Sequence, residues 1–161
     1  MSATNPAAHR VATEPILSAN DFARLEIMLC EERGVIRDRI RAKLDAAAVV
    51  SGHAIAHDVA TIGSVLRYRI GDGPIQRRTL SLPDVSHPNG QFINLMTPVG
   101  MTLLGVREGT CHAVTLPDGG TIMLELLDVE FQPEAEVRRR SKWVPDDSDP
   151  DNGPNNGPSA A

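Results

Sequence analysis

The chain has 161 residues, of which 41% are apolar and only 3% aromatic, and its formal net charge is −5. Because four aspartates between residues 146 and 151 carry most of that charge, the rest is nearly neutral and has no global basic field to attract nucleic acid. No apolar run approaches the roughly 20 residues of a membrane span, and the N-terminus lacks the pattern of a signal peptide. With two cysteines, Cys30 and Cys111, we expect a cytoplasmic protein that has free thiols and no membrane contact.

The first predicted elements form a helical hairpin over residues 16–48, after a small and polar N-terminus, residues 1–15, that we expect to be disordered. Ser18 has the position of a helix N-cap, with Asp21 three residues later, as in a capping box. Apolar residues then recur at helical spacing on both sides of Gly34, namely Phe22, Leu25 and Leu29 before it and Ile36, Ile40 and Leu44 after it. Two narrow stripes among many charges predict two antiparallel helices, mostly solvated, each about 13 residues and roughly 20 Å long.

Residues 49–136 have the pattern of an α+β domain. Five short segments with strand-like composition are separated by turn signals, and in chain order they are VLRYRI, IQRRTLSL, FINL, CHAVTL and TIMLELLDVEF. A short helical pattern falls between the third and the fourth segment. We therefore expect a curled antiparallel sheet with one short helix covering one of its faces.

That short helix lies in the stretch TPVGMTLLGVREGT and has clear ends. Thr97 can accept hydrogen bonds from the first turn, and Pro98 suits the first helical position because its missing N–H costs nothing there. Gly105 can adopt the left-handed conformation that ends a helix. About two turns are too few to be stable alone, so we expect at least one of Leu103 and Leu104 to be buried against the sheet.

Residues 137–161 are predicted to be a basic and then acidic tail of low complexity, largely disordered. The segment EAEVRRRSKW, which runs into this tail, has the composition of a frayed helix. Its basic run, Arg138–Lys142, fits a solvated helix face, and it also fits contact with an acidic partner or a nucleic-acid backbone.

The residues that usually carry chemistry form no strong motif, so we expect no catalytic residues, no resident metal and no cofactor. The sequence has neither the Gly-rich phosphate loop nor the GxGxxG fingerprint. His53 and His57 are four apart, a spacing that binds metal on one helix face, but no third ligand is indicated. Cys111 and His112 are adjacent in a predicted strand, where they point to opposite faces and cannot cooperate as a nucleophile and its base.

The order of these elements resembles a known family. The stretches PILSANDFARLEIML, AHDVATIGSVLRYRI, TPVGMTLLGVREGT and LLDVEFQPEA are similar to the Rnk family, the regulators of nucleoside diphosphate kinase, over about residues 15–136. Rnk proteins are in turn similar to the Gre transcript-cleavage factors in their C-terminal domain. The resemblance implies a short N-terminal helical hairpin, an FKBP-like C-terminal domain and binding to RNA polymerase at its secondary channel.

The resemblance also implies where the partner would bind. In Gre factors the corner before the short helix docks on polymerase, and the matching positions here are Met96, Thr97, Pro98 and Gly100. Gre factors carry an acid where this chain has Met96. They also have much longer hairpin helices with an acidic pair at the tip, whereas this chain has Glu31 and Glu32 near its turn, in a stretch that lacks the Gre pattern.

We therefore expect a monomeric regulator of transcription elongation that occupies the channel in competition with Gre-type factors and affects the level of nucleoside diphosphate kinase. Two alternatives stay open, a true transcript-cleavage factor and an adaptor that acts without polymerase. A peptidyl-prolyl isomerase is disfavoured, since its aromatic-lined pocket is hard to build with 3% aromatic residues. Nucleic acid contact is expected only within the polymerase complex or through Arg138–Lys142.

Overall fold

A computed structural model describes residues 14–84 and 90–143 as a mixed α+β fold with a helical N-terminal region. The four helices within these ranges are α1 (Ala19–Glu31), α2 (Gly34–Ala46), α3 (Pro98–Leu103) and α4 (Pro133–Ser141). The strands are β1 (Ile16–Ser18), β2 (Ala48–Val50), β3 (Val65–Ile70), β4 (Ile75–Ser81), β5 (Phe92–Asn94), β6 (Thr110–Thr115) and β7 (Thr121–Phe131). The N-terminal stretch expected to be disordered lies, up to residue 13, outside the described residues.

The predicted hairpin is present as α1 and α2. The Ser18 side chain caps α1 by accepting a hydrogen bond from the Asp21 N–H at 3.1 Å, as the sequence indicates. Gly34 begins α2 with a φ of 62°, a left-handed conformation that allows the chain to reverse within two residues. A parallel pair of short strands, β1 and β2, closes the base of the hairpin, and the sequence did not predict this pair.

Five strands form a second sheet in the order β5-β4-β3-β7-β6, and they match the five predicted segments. The expectation of a wholly antiparallel sheet is wrong at one edge, because β4 and β5 pair in parallel from Thr79↔Phe92 to Ser81↔Asn94. Parallel neighbours cannot be joined by the tight turn of a hairpin, so the turn signals between these two segments did not predict how they pair. The FKBP-like description of this domain stays a prediction.

The hairpin and the sheet share one hydrophobic core. Leu25 of α1 and Ile40 of α2 are fully buried in the same cluster as Leu66 of β3. Leu103 and Leu104 are also fully buried there, which confirms that the short helix α3 is stabilised by tertiary packing rather than by its own length. The hairpin is therefore packed along its inner side, although its charged outer side is exposed.

The chain after the sheet continues as helix α4, so the boundary that the sequence places between residues 136 and 137 falls inside a helix. Pro133 opens α4 at a position where proline is favoured, and acidic residues in the first turn with arginines in the last turn complement the helix dipole. The tail predicted to be disordered lies, from residue 144 onwards, outside the described residues. Every helix within the ranges that are described is too short or too polar to cross a bilayer.

Candidate functional site

The corner before α3 is built from a network of short-range hydrogen bonds. The Asn94 carbonyl oxygen accepts from the Thr97 N–H at 3.1 Å and from the Thr97 hydroxyl at 2.7 Å. The Thr97 hydroxyl oxygen in turn accepts from the Gly100 N–H at 3.1 Å, which confirms Thr97 as the N-cap. The Asn94 side chain also accepts from the Met96 N–H at 2.8 Å. With Pro98 at the start of the helix, few backbone torsions of the corner remain free to move.

The four residues that the resemblance assigns to the partner contact have different exposures. Thr97 is exposed, Met96 and Pro98 are half-buried, and Gly100 is buried. A side chain at Gly100 would overlap the Asn94 carbonyl oxygen, so this glycine is required for the close approach of two backbone segments. The structure thus brings the four residues together, with Met96, Thr97 and Pro98 at the surface and Gly100 as their support.

Lys43 of α2 joins the hairpin to the other end of α3. Its ammonium donates to the Leu104 carbonyl at 2.8 Å and approaches the Thr102 carbonyl at 3.4 Å. These oxygens lie at the C-terminus of a helix, where a cation is favoured because the last carbonyls lack partners within the helix. Burial lowers the pKa of Lys43 from 10.5 to about 8. The spacing of Lys43 in the sequence indicates only a solvated face of α2, so its contact with α3 could not be predicted from local patterns.

The hairpin tip presents the two glutamates that the sequence singled out. Glu31 is the last residue of α1 and is exposed, and Glu32 follows as the C-cap, with its N–H donating to the Met28 carbonyl at 2.9 Å. Arg37 of α2 donates to the Leu29 carbonyl at 2.7 Å and so ties the tip together. Among the residues that are described, no three His, Cys, Asp or Glu side chains are grouped to hold a metal ion.

The two histidine-containing motifs, His53 with His57 and Cys111 with His112, do not have the geometry of a metal or catalytic site. His53 and His57 are exposed and lie in turns, so they do not share one helix face. His112 shares a hydrogen bond of 2.9 Å with the hydroxyl of Thr110, two residues away on the same face of β6. Cys111 lies opposite Glu125 on the other face, and burial raises the pKa of its thiol. As the sequence indicates, Cys111 and His112 do not cooperate.

A buried polar cluster links α1, the turn before β3 and α4. Asp21 is 1% exposed and accepts from the Ile62 N–H at 3.0 Å, while its second oxygen has no partner among the described residues. The Thr61 hydroxyl donates to Glu134 of α4 at 2.7 Å and shares a second hydrogen bond with the Ser64 hydroxyl at 3.0 Å. Burial raises the pKa of Asp21 from 3.8 to about 6, assisted by the nearby negative charge of Glu134.

Local sequence patterns indicated hydrogen-bonding roles for two residues, Asn94 in the corner and Asp21 in the buried polar cluster. Asn94 precedes Thr97 by three residues and bonds the backbone two residues on, as asparagine does in turns. Asp21 occupies the capping-box position, but it bonds Ile62 across the fold instead of the N-terminus of its own helix. Such long-range roles depend on packing that local patterns do not contain.

Comparison with known proteins matches the C-terminal part of the chain to one family. The family model described as "Transcription elongation factor, GreA/GreB, C-term" covers residues 55–131, which include the corner and α3. A protein of Escherichia coli (strain K12), "Regulator of nucleoside diphosphate kinase", is 36% identical over 124 residues. The match covers 74% of this chain and 91% of that protein.

Two further relatives carry Gre names. The protein "Transcription elongation factor GreA" of Saccharopolyspora erythraea is 31% identical over 104 residues, which is 62% of this chain and 64% of that protein. The solved structure "Prokaryotic transcription elongation factor GreA/GreB from Nitrosomonas europaea" superposes with a TM-score of 0.61 at 30% identity. That match covers 74% of this chain and 100% of the solved chain, so the two proteins share a fold over that span.

Proposed function

Because this chain belongs to the Rnk family, the regulators of nucleoside diphosphate kinase, and shares a C-terminal domain with GreA/GreB factors, we propose that it binds RNA polymerase and regulates transcription elongation. It does so by occupying the secondary channel in competition with Gre-type factors. Such a role belongs to the cytoplasm and needs only a monomer. In line with the name of the Escherichia coli relative, the protein also affects the level of nucleoside diphosphate kinase.

The observation that carries this proposal is the rigid surface corner at Met96, Thr97 and Pro98, in which Thr97 is exposed and the other two are half-buried. A surface that is already fixed by hydrogen bonds loses little conformational entropy when it binds, so more of the contact energy appears as affinity. Met96 is apolar and half-buried, which favours a partner surface with an apolar centre over one that reads a charge.

The length of the hairpin favours occupancy over catalysis. Each helix has 13 residues and therefore spans roughly 20 Å. At 1.5 Å per residue, a factor that must place tip carboxylates at a distant metal needs longer arms. A short hairpin can still block the entrance of a channel on which the corner is docked.

A second candidate function is transcript cleavage. One observation at the hairpin tip favours it. Glu31 and Glu32 are adjacent at the end of α1, and oxygen ligands of this kind suit Mg²⁺ when another macromolecule supplies the remaining ligands. The third possibility, an adaptor that acts without polymerase, would use the same exposed corner on another protein.

The experiment that tests the proposal is competition on immobilised core RNA polymerase. We expect the protein to bind core polymerase and to be displaced as a Gre factor is added at increasing concentration. Binding of both proteins at once would contradict occupancy of a shared site. Absence of binding at micromolar concentrations would favour the adaptor.

A further inference from the structure

The C-terminal end of α4 carries a cluster of exposed cations beside an exposed tryptophan, called here the α4 patch: Arg139, Arg140, Lys142 and Trp143. Trp143 is 73% exposed, and the side chains of Arg139 and Arg140 are 76% and 78% exposed. Among the described residues, these four line a surface cavity of about 440 Å³. The patch therefore places an aromatic face next to three positive charges.

The helix that presents the patch is held firmly against the rest of the fold. Gln132, just before α4, donates to the carbonyls of Ala56 and Val59, both at 2.7 Å. Arg138 faces inward and donates to the Gly52 carbonyl at 2.9 Å, so it belongs to the anchor and not to the patch. The cations of the patch are therefore displayed on a fixed support.

One carboxylate orients the two arginines of the patch and uses only some of their N–H donors. Glu136 accepts from Arg139 at 2.8 and 3.0 Å and from Arg140 at 2.9 Å. A guanidinium has five N–H donors, so most donors of both side chains remain available to a ligand. Two positive groups that share one negative partner keep an excess of positive charge, and a second anion can bind beside them.

We propose that the α4 patch binds single-stranded nucleic acid, with Trp143 stacking on a base and Arg139, Arg140 and Lys142 contacting the flanking phosphates. Proteins bind single strands by this combination, because every base offers a face for stacking and every linkage offers a charge. A purely acidic protein surface would satisfy the cations and would leave the exposed indole without a role. The patch lies beyond residue 131, where the GreA/GreB family match ends, so the inference does not depend on polymerase binding.

The test uses the full chain and its own tryptophan. Trp143 is the only tryptophan of the sequence, so its emission reports on the patch alone. We expect a single-stranded oligouridylate to quench this emission saturably. With three phosphates contacted, the logarithm of affinity should fall against that of salt concentration with a slope of about −2. Absence of saturable quenching, or quenching that salt does not weaken, would overturn the proposal.

Charge variants locate the binding surface. Arg139→Glu with Arg140→Glu should weaken binding by about tenfold or more, measured by anisotropy of a labelled oligouridylate, because phosphate contacts become repulsions. Arg139→Lys with Arg140→Lys keeps the charge and should retain binding within a few fold. The matched control is Arg33→Glu with Arg41→Glu, two exposed arginines of the hairpin, and it should leave the affinity unchanged. Equal losses in the control and in the patch variant would show non-specific attraction and refute the site.

A tryptophan variant separates nucleic acid from an acidic protein. Trp143→Leu keeps the charge and removes the ring, and it should weaken binding about tenfold, since stacking is a substantial part of single-strand affinity. Polyglutamate and duplex RNA serve as competitors, because the first has charge without bases and the second has its bases already stacked. Both should compete less well than unlabelled oligouridylate. An unchanged affinity in Trp143→Leu, or stronger competition by polyglutamate, would assign the patch to an acidic protein instead.

Discussion

The side chain of Asp21 links α1 to the turn before β3, although burial and a nearby negative charge disfavour its ionised form. Its carboxylate accepts from the Ile62 N–H, which fixes the turn before β3 against α1. Its other oxygen has no partner among the described residues, and Glu134 adds a second negative charge nearby. A buried carboxylate in this position is favoured in its protonated form. Arg24 offsets only part of that effect.

The first prediction follows from the sign of this shift. The pKa of Asp21 is about 6 in the folded protein against an ordinary 3.8, so its ionisation removes stability as pH rises from about 4 through 6. Asp21→Asn keeps an acceptor for Ile62 and cannot ionise. Asp21→Asn should therefore unfold at a higher urea concentration than the parent at pH 7, with a free energy of unfolding higher by up to about 3 kcal/mol. This difference in stability should vanish near pH 4.

The control for this measurement is Asp38→Asn, at an exposed position of α2. Its effect on the free energy of unfolding should be small at every pH. If the difference between Asp21→Asn and the parent stays constant from pH 4 to pH 7, the carboxyl of Asp21 does not titrate in this range.

Gly100 supports the second prediction. A methyl group at this position would overlap the Asn94 carbonyl oxygen and press on the Thr97 hydroxyl, so the corner would have to move. We expect Gly100→Ala to destabilise the protein by about 1–3 kcal/mol, as overpacking does. Gly52→Ala is the matched control, since its new methyl group meets only Glu134 at 3.8 Å, an ordinary contact. The measurement is a thermal melt of each variant. Equal midpoints for Gly100→Ala and Gly52→Ala would mean that the corner tolerates a side chain.

At the scale of elements, the corner and α3 are where local sequence and structure agree most closely. The Thr97 cap, Pro98 in the first turn and Gly105 with a φ of 83° were all expected, since capping chemistry operates within a few residues. The parallel pairing of β1 with β2 and of β4 with β5 was not expected. Parallel neighbours need a long crossover, and no turn signal marks which distant segment returns to the edge.

The third prediction tests whether the corner is the docking element. Pro98→Ala with Thr97→Asp should weaken binding to core RNA polymerase by about tenfold or more, because it changes the exposed surface and loosens the first turn. Aspartate can still cap α3, so the fold should persist. The measurement is a titration on immobilised core polymerase, with a thermal melt of each protein alongside.

A matched variant makes this test specific. Pro117→Ala with Thr121→Asp introduces the same two changes at exposed residues around the β6–β7 turn, away from the corner. It should bind polymerase as the parent does. A folded corner variant that binds as tightly as the parent would remove Thr97 and Pro98 from the contact.

At the scale of the whole molecule, the hairpin and the sheet share one hydrophobic core. Lys43 attaches the hairpin to the end of α3, Asp21 attaches it to the turn before β3, and β1 and β2 pair at its base, so the tip is held at a fixed distance from the corner. The hairpin, the five strands and the corner could be predicted from the sequence, because each depends on residues that are close together in the chain. The sequence did not predict the Lys43 contact or the buried role of Asp21, because both depend on which faces meet in three dimensions.

The last prediction uses that fixed distance to separate occupancy from catalysis. If the protein acts by occupying the channel, the charge of the tip is not needed, and Glu31→Gln with Glu32→Gln should compete with a Gre factor as well as the parent does. The parent itself should not stimulate RNA cleavage in stalled polymerase complexes, because arms of roughly 20 Å must first span the gap between the docked corner and the metal. Glu26→Gln with Asp38→Asn, at exposed positions on the two arms, removes the same charge away from the tip. Cleavage that the parent and this control both support, and that the Glu31 and Glu32 variant loses, would make the tip carboxylates metal ligands and the protein a short cleavage factor.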